Sequence, residues 1–513
     1  MPEVLLDGRV VSVPPGSTLL EAARGLGIAV PALCHGEGLP HHTSCMVCLV
    51  EDMDAGRLVP ACATPAGEGQ QVRTGSERVL AARQRSVELL LSEHAGDCEA
   101  PCVRACPAHA DIPGMARRLG RGDWEGALAT LLARLPLAGS LARVCPAPCE
   151  RACRRRGVDS AVRICGLKQA VSDRGLAGGA AFTPRPAPPT GASAAVVGAG
   201  PAGLSAAYFL ALGGCRCTVF DERPAPGGMM RHAIPAERLP PGVLEADIAL
   251  LRRLGVQLHM GETIASGKSL DELRDHHGAV VLAPGSKDRL ARLLGIDTRV
   301  GDAAVDRGMR GVFAGGNAVR ETSSRMSVRG VAEGRRLAQA VLLFLEGRDP
   351  LPPRERYVSR RGKLRPEDLA LFAAEAKRRA ARAMERRPSL EEAEVEALRC
   401  LDCGCARGRT CGLRRLAEET GADGRRFPRT EGTPFERVRG EGGLSFEPGK
   451  CIRCGLCVRI AEKGGDRPGL AFTGRGSDVR VRAPFGADIG AALAVTAAEC
   501  VARCPTGALV WDR

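Results

Sequence analysis

The sequence predicts a multidomain chain of mixed α+β and α/β class. Three observations carry that prediction. Nineteen of the twenty-two cysteines stand in five ordered groups: Cys34, Cys45, Cys48 and Cys62; Cys98, Cys102 and Cys106; Cys145, Cys149 and Cys153; Cys400, Cys403, Cys405 and Cys411; and Cys451, Cys454 and Cys457 with Cys500 and Cys504. A single strand, glycine loop, helix and strand follow one another between Ala194 and Asp221. The length of 513 residues allows three or four domains at about 150 residues each. Motif and composition boundaries place the segments at 1–80, 81–175, 190–347, 348–430 and 440–513.

Composition narrows the class. No apolar run reaches the ~18 residues of a membrane span. The best, around Leu337 to Leu345, reads as a short helix, so the chain is not expected to be an integral membrane protein. The net charge is +14, but the arginines are scattered and aromatics make up 3%. Nucleic-acid binding needs a concentrated basic face and stacking aromatics, so it is not expected. Thiolate-bound clusters and nucleotide phosphates are anionic, and a basic chain offsets them; Arg154, Arg155 and Arg156 directly follow Cys153. An acidic redox partner is the other use of that charge. Met1 leads into a strand-like segment rather than a basic stretch and apolar core, so no secretory signal is expected. A cytoplasmic location follows, where close-set cysteines bind metal or do redox chemistry instead of forming disulfides.

Residues 1–80 open with a hairpin, Val4 to Val13, turning at Asp7-Gly8 in type I′ fashion. Thr18 and Glu21 form a capping-box signal for a helix running to about Gly27. A hairpin followed by a helix suits a β-grasp fold. The cysteines then follow as C-x10-C-x2-C-x13-C. The long first gap lets one loop wrap an inorganic cluster, and the C-x2-C pair supplies two thiolates from one turn. This spacing resembles the 2Fe–2S domain at the start of the large iron-sulfur subunit of complex I and of iron-only hydrogenases. The resemblance implies a 2Fe–2S cluster on Cys34, Cys45, Cys48 and Cys62; a zinc site is the alternative.

In residues 81–175, Cys98, Cys102 and Cys106 stand at i, i+4, i+8. On a helix these share a face, although Pro101 predicts a broken one. The string RVCPAPCERAC repeats the spacing at Cys145, Cys149 and Cys153. Two triplets cannot each close a four-ligand cluster alone, but they can by exchanging ligands. The Cys106-Pro107 step, Ile112-Pro113, the VCPAPCE string and GLKQA at Gly166 to Ala170 resemble the N-terminal helical domain of the glutamate synthase small subunit and of dihydropyrimidine dehydrogenase. The resemblance implies an α-helical domain with two 4Fe–4S clusters, one on Cys98, Cys102 and Cys153, the other on Cys106, Cys145 and Cys149. Each lacks a ligand here. Ala95 stands where the family has its first cysteine; His94 beside it is the candidate replacement, or else a helix-cap or surface histidine. The second cluster's Gln or Glu is replaced by Lys168, whose protonated amine has no lone pair for iron. Cys165, one helical turn away, can substitute; otherwise that site is open, three-iron or missing.

Residues 190–347 begin after a linker rich in Gly, Ala and Pro, Leu176 to Thr190. The strand Ala194 to Val197, the loop GAGPAG with Gly198, Gly200, Pro201 and Gly203, the helix behind it and Asp221 at the end of the next strand make a complete dinucleotide unit. Its glycines permit close approach of a pyrophosphate, the helix N-terminus adds its dipole, and the acid holds a ribose. The string ERPAPGGMMRHAIPAERLP, VVLAPG at Val280 to Gly285 and GVFAGGNAV at Gly311 to Val319 resemble the FAD domain of the glutamate synthase small subunit. By that resemblance Gly227, Gly228 and Met229 approach the flavin ribityl and diphosphate, and Gly315, Gly316 and Asn317 form the last FAD-contacting turn. Asn317 replaces the family's Asp, which implies weakened binding. Cys215 and Cys217 read as packing residues on a strand. The family inserts an NADPH domain between the two closing segments. Here 26 residues separate Gly285 from Val312, less than the roughly 30 of one βαβ unit, so that domain is expected to be missing.

In residues 348–513, the stretch from Glu367 to Arg399 is charged and Ala-rich, and Ser389 with Glu392 caps a helix leading into RCLDCGC. The set C-x2-C-x-C-x5-C, Cys400, Cys403, Cys405 and Cys411, is compact enough to bind one centre, a 4Fe–4S cluster or zinc. KCIRCGLCVRI and ECVARCPTGAL resemble a ferredoxin fold as embedded in complex I and hydrogenases. That resemblance implies one 4Fe–4S cluster on Cys451, Cys454, Cys457 and Cys504. Ala461 replaces the usual fourth cysteine, leaving Cys500 as a remnant of a lost second cluster.

Together the resemblances imply an FAD-dependent iron-sulfur oxidoreductase with one 2Fe–2S cluster, two to four 4Fe–4S clusters and one FAD. It would pass electrons between flavin and clusters within a larger NAD(P)H- or hydrogenase-linked complex. The partner expected is an NAD(P)H-oxidising flavoprotein subunit or a ferredoxin- or hydrogenase-type protein. Three rivals remain: a self-contained NAD(P)H-dependent oxidoreductase of the glutamate synthase small-subunit type, a cluster scaffold with a vestigial FAD fold, and a non-redox zinc protein. No Ser/His/Asp set or carboxylate pair marks a hydrolytic site.

Overall fold

In a computed structural model the described residues are 1–176, 182–264, 267–294, 310–319, 326–350, 356–362, 364–375, 388–427 and 436–512. The linker expected from Leu176 and the charged stretch from Glu367 fall partly outside them. Two compact units result. One comprises Met1–Glu99, Arg354–Leu371 and Gly404–Arg513; the other comprises Ala100–Pro353 and Phe372–Cys403.

The first unit opens with strands β1 (Glu3–Leu6) and β2 (Arg9–Ser12), paired antiparallel across Asp7 and Gly8. Both turn residues have positive φ, +47° and +80°, as a type I′ turn requires. Strands β3 (Leu49–Asp52), β4 (Arg57–Pro60) and β5 (Gln71–Arg73) complete a mixed sheet of order β2-β1-β5-β3-β4. The helix Leu19–Gly25 carries the expected capping box between Thr18 and Glu21. Leu19, Leu20 and Ala22 bury against Val4, Leu6, Val50 and Val72 of the sheet.

The second unit begins with short helices. Pro101 occupies the first turn of a helix covering only Pro101–Ala105, so Cys98 and Cys106 lie outside it and the three cysteines do not share one helical face. Longer helices, including Ile112–Leu119, Trp124–Leu132 and Ile164–Leu176, bury Met115, Leu128, Leu131 and Leu167 completely. A parallel sheet follows: β6 (Ser193–Val197), β7 (Arg216–Asp221), β8 (Gln257–Met260), β9 (Ala279–Leu282) and β10 (Val312–Ala314), in the order β10-β9-β6-β7-β8. Its chain order reverses between β6 and β9, and ligands of such sheets bind at that switch point, beyond the carboxyl ends of the strands. The helix Ser327–Leu345 packs on Pro201–Leu212, where Gly334 lets the Ala202 carbonyl approach more closely than any Cβ would allow. The buried Tyr208 hydroxyl donates to the Leu132 carbonyl at 3.1 Å, tying the helices to the sheet domain.

The helix Leu390–Ala397 is capped by Ser389 and Glu392 as expected. In the first unit's C-terminal part, β11 (Val438–Gly440), β12 (Leu444–Phe446) and β15 (Leu509–Trp511) form one antiparallel sheet, and β13 (Ala471–Thr473) pairs with β14 (Arg480–Arg482). Helices Leu456–Gly464 and Ala497–Arg503 pack beside them. No helix among the described residues is long and apolar enough to cross a membrane.

Candidate functional site

Cys34, Cys45, Cys48 and Cys62 are brought together. All four are buried. Cys34 accepts thiol hydrogen bonds from Cys45 and Cys62, which hold it far below the usual thiol range against the opposing effect of burial. Cys48 is lowered to about 7, chiefly by a bond from Cys62. Donation to Cys34 pushes Cys45 and Cys62 up. Met46, between Cys45 and Cys48, has φ +53°, a left-handed backbone uncommon outside glycine.

Cys451, Cys454 and Cys457 gather with Cys504. Burial first, and then neighbouring thiolates including Cys504, raise Cys451 to about 11, Cys454 to about 12 and Cys457 well above the ordinary value. Arg453 sits in this turn at φ +55° and donates its N–H to Cys451 Sγ at 3.4 Å. Cys500 stands beside the set with its Sγ on the Cys457 carbonyl. The buried Arg459 donates to the carbonyls of Cys34, at 2.7 Å, and Cys454, at 3.2 Å. One cation therefore braces the N-terminal ring and the C-terminal set.

Among the remaining cysteines, Cys98 departs from the grouping the resemblance implied, and the run from Cys400 to Cys411 does not stay together. Cys98 belongs to the first unit and lies with Cys405 and Cys411, whose charges act on it after burial, raising it to about 11. It accepts the Ser359 N–H at 3.4 Å. Arg414, buried, donates to the Gly408 carbonyl at 2.7 Å and to Glu99 at 3.0 Å, fastening the 405–411 loop beside Cys98. Cys102, Cys153, Cys400 and Cys403 belong to the second unit. Burial and then the charges of Cys400, Cys403, Cys153 and Cys149 keep Cys102 well above the ordinary range. Burial likewise raises Cys400, with Asp402, Cys403 and Cys153 as its charged neighbours. The difference follows from Pro101, which starts its helix after Cys98 and leaves that residue in the bend before it. His94 ends the helix Glu77–Glu93 as its C-cap and is buried.

Cys106, Cys145 and Cys149 gather with Cys165. The Cys165 thiol donates to Cys145, which drops to about 6 for that reason. Glu150 accepts the Cys165 N–H at 2.7 Å at the start of the Ile164–Leu176 helix. Lys168 is buried among these thiols. Burial alone would lower its ammonium; the charges of Cys165, Cys149, Cys145 and Cys106 overcome that and raise it. Sequence reasoning placed Cys165 only as a possible substitute, and the signal for it was the one-turn spacing to Lys168.

The dinucleotide residues converge on the switch point. A cavity of about 450 Å³ is lined by Gly200, Pro201, Asp221, Gly228, Met229, Gly316 and Asn317 among others. Gly198 and Asp221 also line a smaller adjoining pocket. Gly198, at φ +110°, lies against the Ala283 carbonyl, so that any Cβ would collide with it. Gly203 sits where a Cβ would overlap the Gly198 carbonyl, Gly227 donates to the Ala199 carbonyl at 2.8 Å, and Gly315 donates to Leu282 at 2.9 Å. These three shape the cavity from behind. Asp221 accepts the N–H groups of Ala199 at 2.7 Å and Arg223 at 2.9 Å, which fixes its carboxylate. Arg223, Arg289, Met326 and Ser327 also line the cavity, and the glycine pattern gave no sign of them. Cys215 and Cys217 are buried in the core beside the strand, as packing residues.

No three described His, Cys, Asp or Glu groups converge tightly enough to hold a single metal ion as they stand. The donor chemistry suits clusters: buried sulfurs, sharing protons and accepting backbone N–H bonds, are the features that hold and tune iron-sulfur centres.

Family comparisons define the class first. Residues 3–77 match the 2Fe-2S iron-sulfur cluster binding domain, residues 84–179 match dihydropyrimidine dehydrogenase domain II, 4Fe-4S cluster, and residues 196–246 match the NAD(P)-binding Rossmann-like domain. The chain thus joins two kinds of iron-sulfur domain to a dinucleotide fold. Among individual relatives, the NADP(+)-dependent formate dehydrogenase subunit beta of Moorella thermoacetica is 35% identical over 52% of this chain and 41% of its own length. The NADPH-Fe(3+) oxidoreductase subunit beta of Geobacter sulfurreducens is 37% identical over 42% of this chain and 31% of its own. The glutamate synthase [NADPH] small chain of Bacillus subtilis is 34% identical over 39% of this chain and 41% of its own. The chain spans less than half the length of each of these relatives.

Proposed function

We propose that this chain is an iron-sulfur flavoprotein that carries electrons between a flavin and a series of clusters, as a subunit of a larger redox complex. The observation that supports this best is the coexistence of separate buried and half-buried thiol sets with a dinucleotide cleft in one chain. Relatives named as subunits of NADP- and NADPH-linked oxidoreductases agree with it.

In this reading Cys34, Cys45, Cys48 and Cys62 hold a 2Fe–2S cluster, and Cys451, Cys454, Cys457 and Cys504 a 4Fe–4S cluster. Cys106, Cys145, Cys149 and Cys165 hold another, with Lys168 as a buried countercharge to the thiolates. Cys98, Cys102, Cys153, Cys400, Cys403, Cys405 and Cys411 supply two more, with His94, buried four residues before Cys98, as a candidate fourth ligand. The cleft holds FAD. The N-terminus of the Pro201–Leu212 helix meets the diphosphate, Asp221 takes a ribose hydroxyl, and Gly228 and Asn317 line the flavin side. Bound flavin supplies the exchange between two-electron and one-electron chemistry. Arg459, joined to both Cys34 and Cys454, keeps two thiol sets in fixed register for transfer.

The 26 residues between Gly285 and Val312 leave no room for a second dinucleotide domain. Electrons therefore enter or leave through a partner, an NAD(P)H-oxidising flavoprotein or a ferredoxin- or hydrogenase-type protein. Stopped-flow mixing of the purified holoprotein with NADH or NADPH tests this. Slow or absent flavin bleaching without a partner is expected; prompt bleaching would show a self-contained NAD(P)H oxidoreductase instead.

A further inference from the structure

We propose that the cysteine run from Cys400 to Cys411 serves two clusters: Cys400 and Cys403 complete a four-thiolate set with Cys102 and Cys153, and Cys405 and Cys411 join Cys98 in a different one. This rests on the iron-sulfur reading above and goes beyond it, because the run's spacing by itself describes a single four-cysteine site.

The first set is held by a buried arginine pair. Arg155, two residues after Cys153, donates to the Arg399 carbonyl at 2.7 Å, and Arg399 immediately precedes Cys400. Both arginines are 1% exposed and both bond Asp159. Arg399 also pairs with the buried Glu396 at 2.5 Å. The two cysteine-bearing segments are thereby locked side by side in the second unit. Asp402, between Cys400 and Cys403, has φ +44°, and its carboxylate accepts from Arg117 at 3.0 Å. The turn Cys451–Cys454 carries its left-handed residue, Arg453, at the same place, and the turn Cys45–Cys48 carries one, Met46, a position earlier. Strained non-glycine backbone of this kind persists where surrounding structure enforces it, and it clusters at functional sites.

The second set is held separately. The Cys98 carbonyl lies 2.8 Å from where a Cβ on Gly408 would stand, so the 405–411 loop is pressed against Cys98. Cys411 caps the Gly412–Thr420 helix and accepts the Arg414 N–H at 3.5 Å. Cys405 Sγ fills the space a Cβ on Gly507 would take.

Iron and sulfide content and low-temperature EPR of dithionite-reduced holoprotein test the split. Wild type is compared with C400A/C403A, C405A/C411A, C102A, C98A and the quadruple C400A/C403A/C405A/C411A. C400A/C403A and C102A are expected to lose one and the same EPR signal, with about four irons. C405A/C411A and C98A are expected to lose a second signal. The quadruple variant loses about eight irons. Loss of the same signal in both doubles, or of only about four irons in the quadruple, overturns the split. Loss of zinc instead of iron overturns it as well. A retained 2Fe–2S signal shows that the first unit folds, and retained flavin shows that the second does. Should an alanine variant fail to fold, serine variants replace it: C400S must perturb the g-values that C102S perturbs, and C411S must perturb others. A wild-type protein without 4Fe–4S iron would sink the underlying reading, a result distinct from shared loss.

Discussion

The Cys34–Cys62 ring and the Cys102–Cys403 set draw on the same donor and reach it by opposite routes. The ring takes all four thiols from 29 consecutive residues, 34 to 62, and its turn geometry is local. The other set takes them from three stretches, around 102, 153 and 400, and depends on Arg155, Arg399 and Asp159 to hold the last two together. Local spacing therefore specifies the first, and tertiary packing specifies the second. The first should tolerate changes in packing that abolish the second.

The strongest test of that contrast is Arg399→Met. It removes the cation paired with the buried Glu396, and breaking a buried pair in this way costs about 3–5 kcal/mol. A lower melting temperature and loss of the EPR signal removed by C102A are expected, with the 2Fe–2S circular dichroism unchanged. Cys48→Ser is the reverse experiment: about two irons and that dichroism are lost, and the 4Fe–4S signals stay. Gly198→Ala acts on neither set. Its Cβ would strike the Ala283 carbonyl at a positive φ, a strain of about 1–3 kcal/mol. Acid-extractable flavin should fall more than tenfold while iron content holds.

Two smaller effects refine the picture of the second unit. Lys168→Met removes a positive charge from among four thiols and disfavours the extra electron. The midpoint potential of the Cys106–Cys165 centre should fall in an EPR-monitored redox titration, at constant iron content. Asp247 is fully buried and accepts from the N–H groups of Gly139 and Ser140. Burial raises it from 3.8 to about 6, against the pull of those bonds. The folded form thus holds its proton more tightly than the unfolded chain. That contribution is full below pH about 4 and is lost as pH rises through about 6. Amide exchange in the helix Ala138–Val144, corrected for intrinsic rates, should quicken from pH 5 to pH 7, and Asp247→Asn should flatten the change.

How much of this was readable from residues alone follows the same division. The Asp7-Gly8 turn, the Thr18 and Ser389 capping boxes and the glycine loop after β6 are local signals, and the structure carries each of them. The four-cysteine spacing at 34–62 and the three-cysteine spacing at 451–457 are local too. Pro101 is a local helix-breaking signal, but its consequence for Cys98 depends on Arg414 and Gly408, more than 300 residues away in the chain. Cys400 and Cys405 are five residues apart, yet they fall in different units, because the unit boundary runs between Cys403 and Gly404. Spacing cannot report such a boundary. Arg223, in the loop after β7, and Arg289 and Ser327, on helices that follow later strands, line the cleft without belonging to any motif.

The most direct test of the whole reading is a combined count of iron, acid-labile sulfide, zinc and flavin on anaerobically purified chain. The account predicts about eighteen irons with matching sulfide, from one 2Fe–2S and four 4Fe–4S clusters, and one FAD. Iron near two per chain with zinc at the remaining cysteines, or full iron with no flavin, would contradict it.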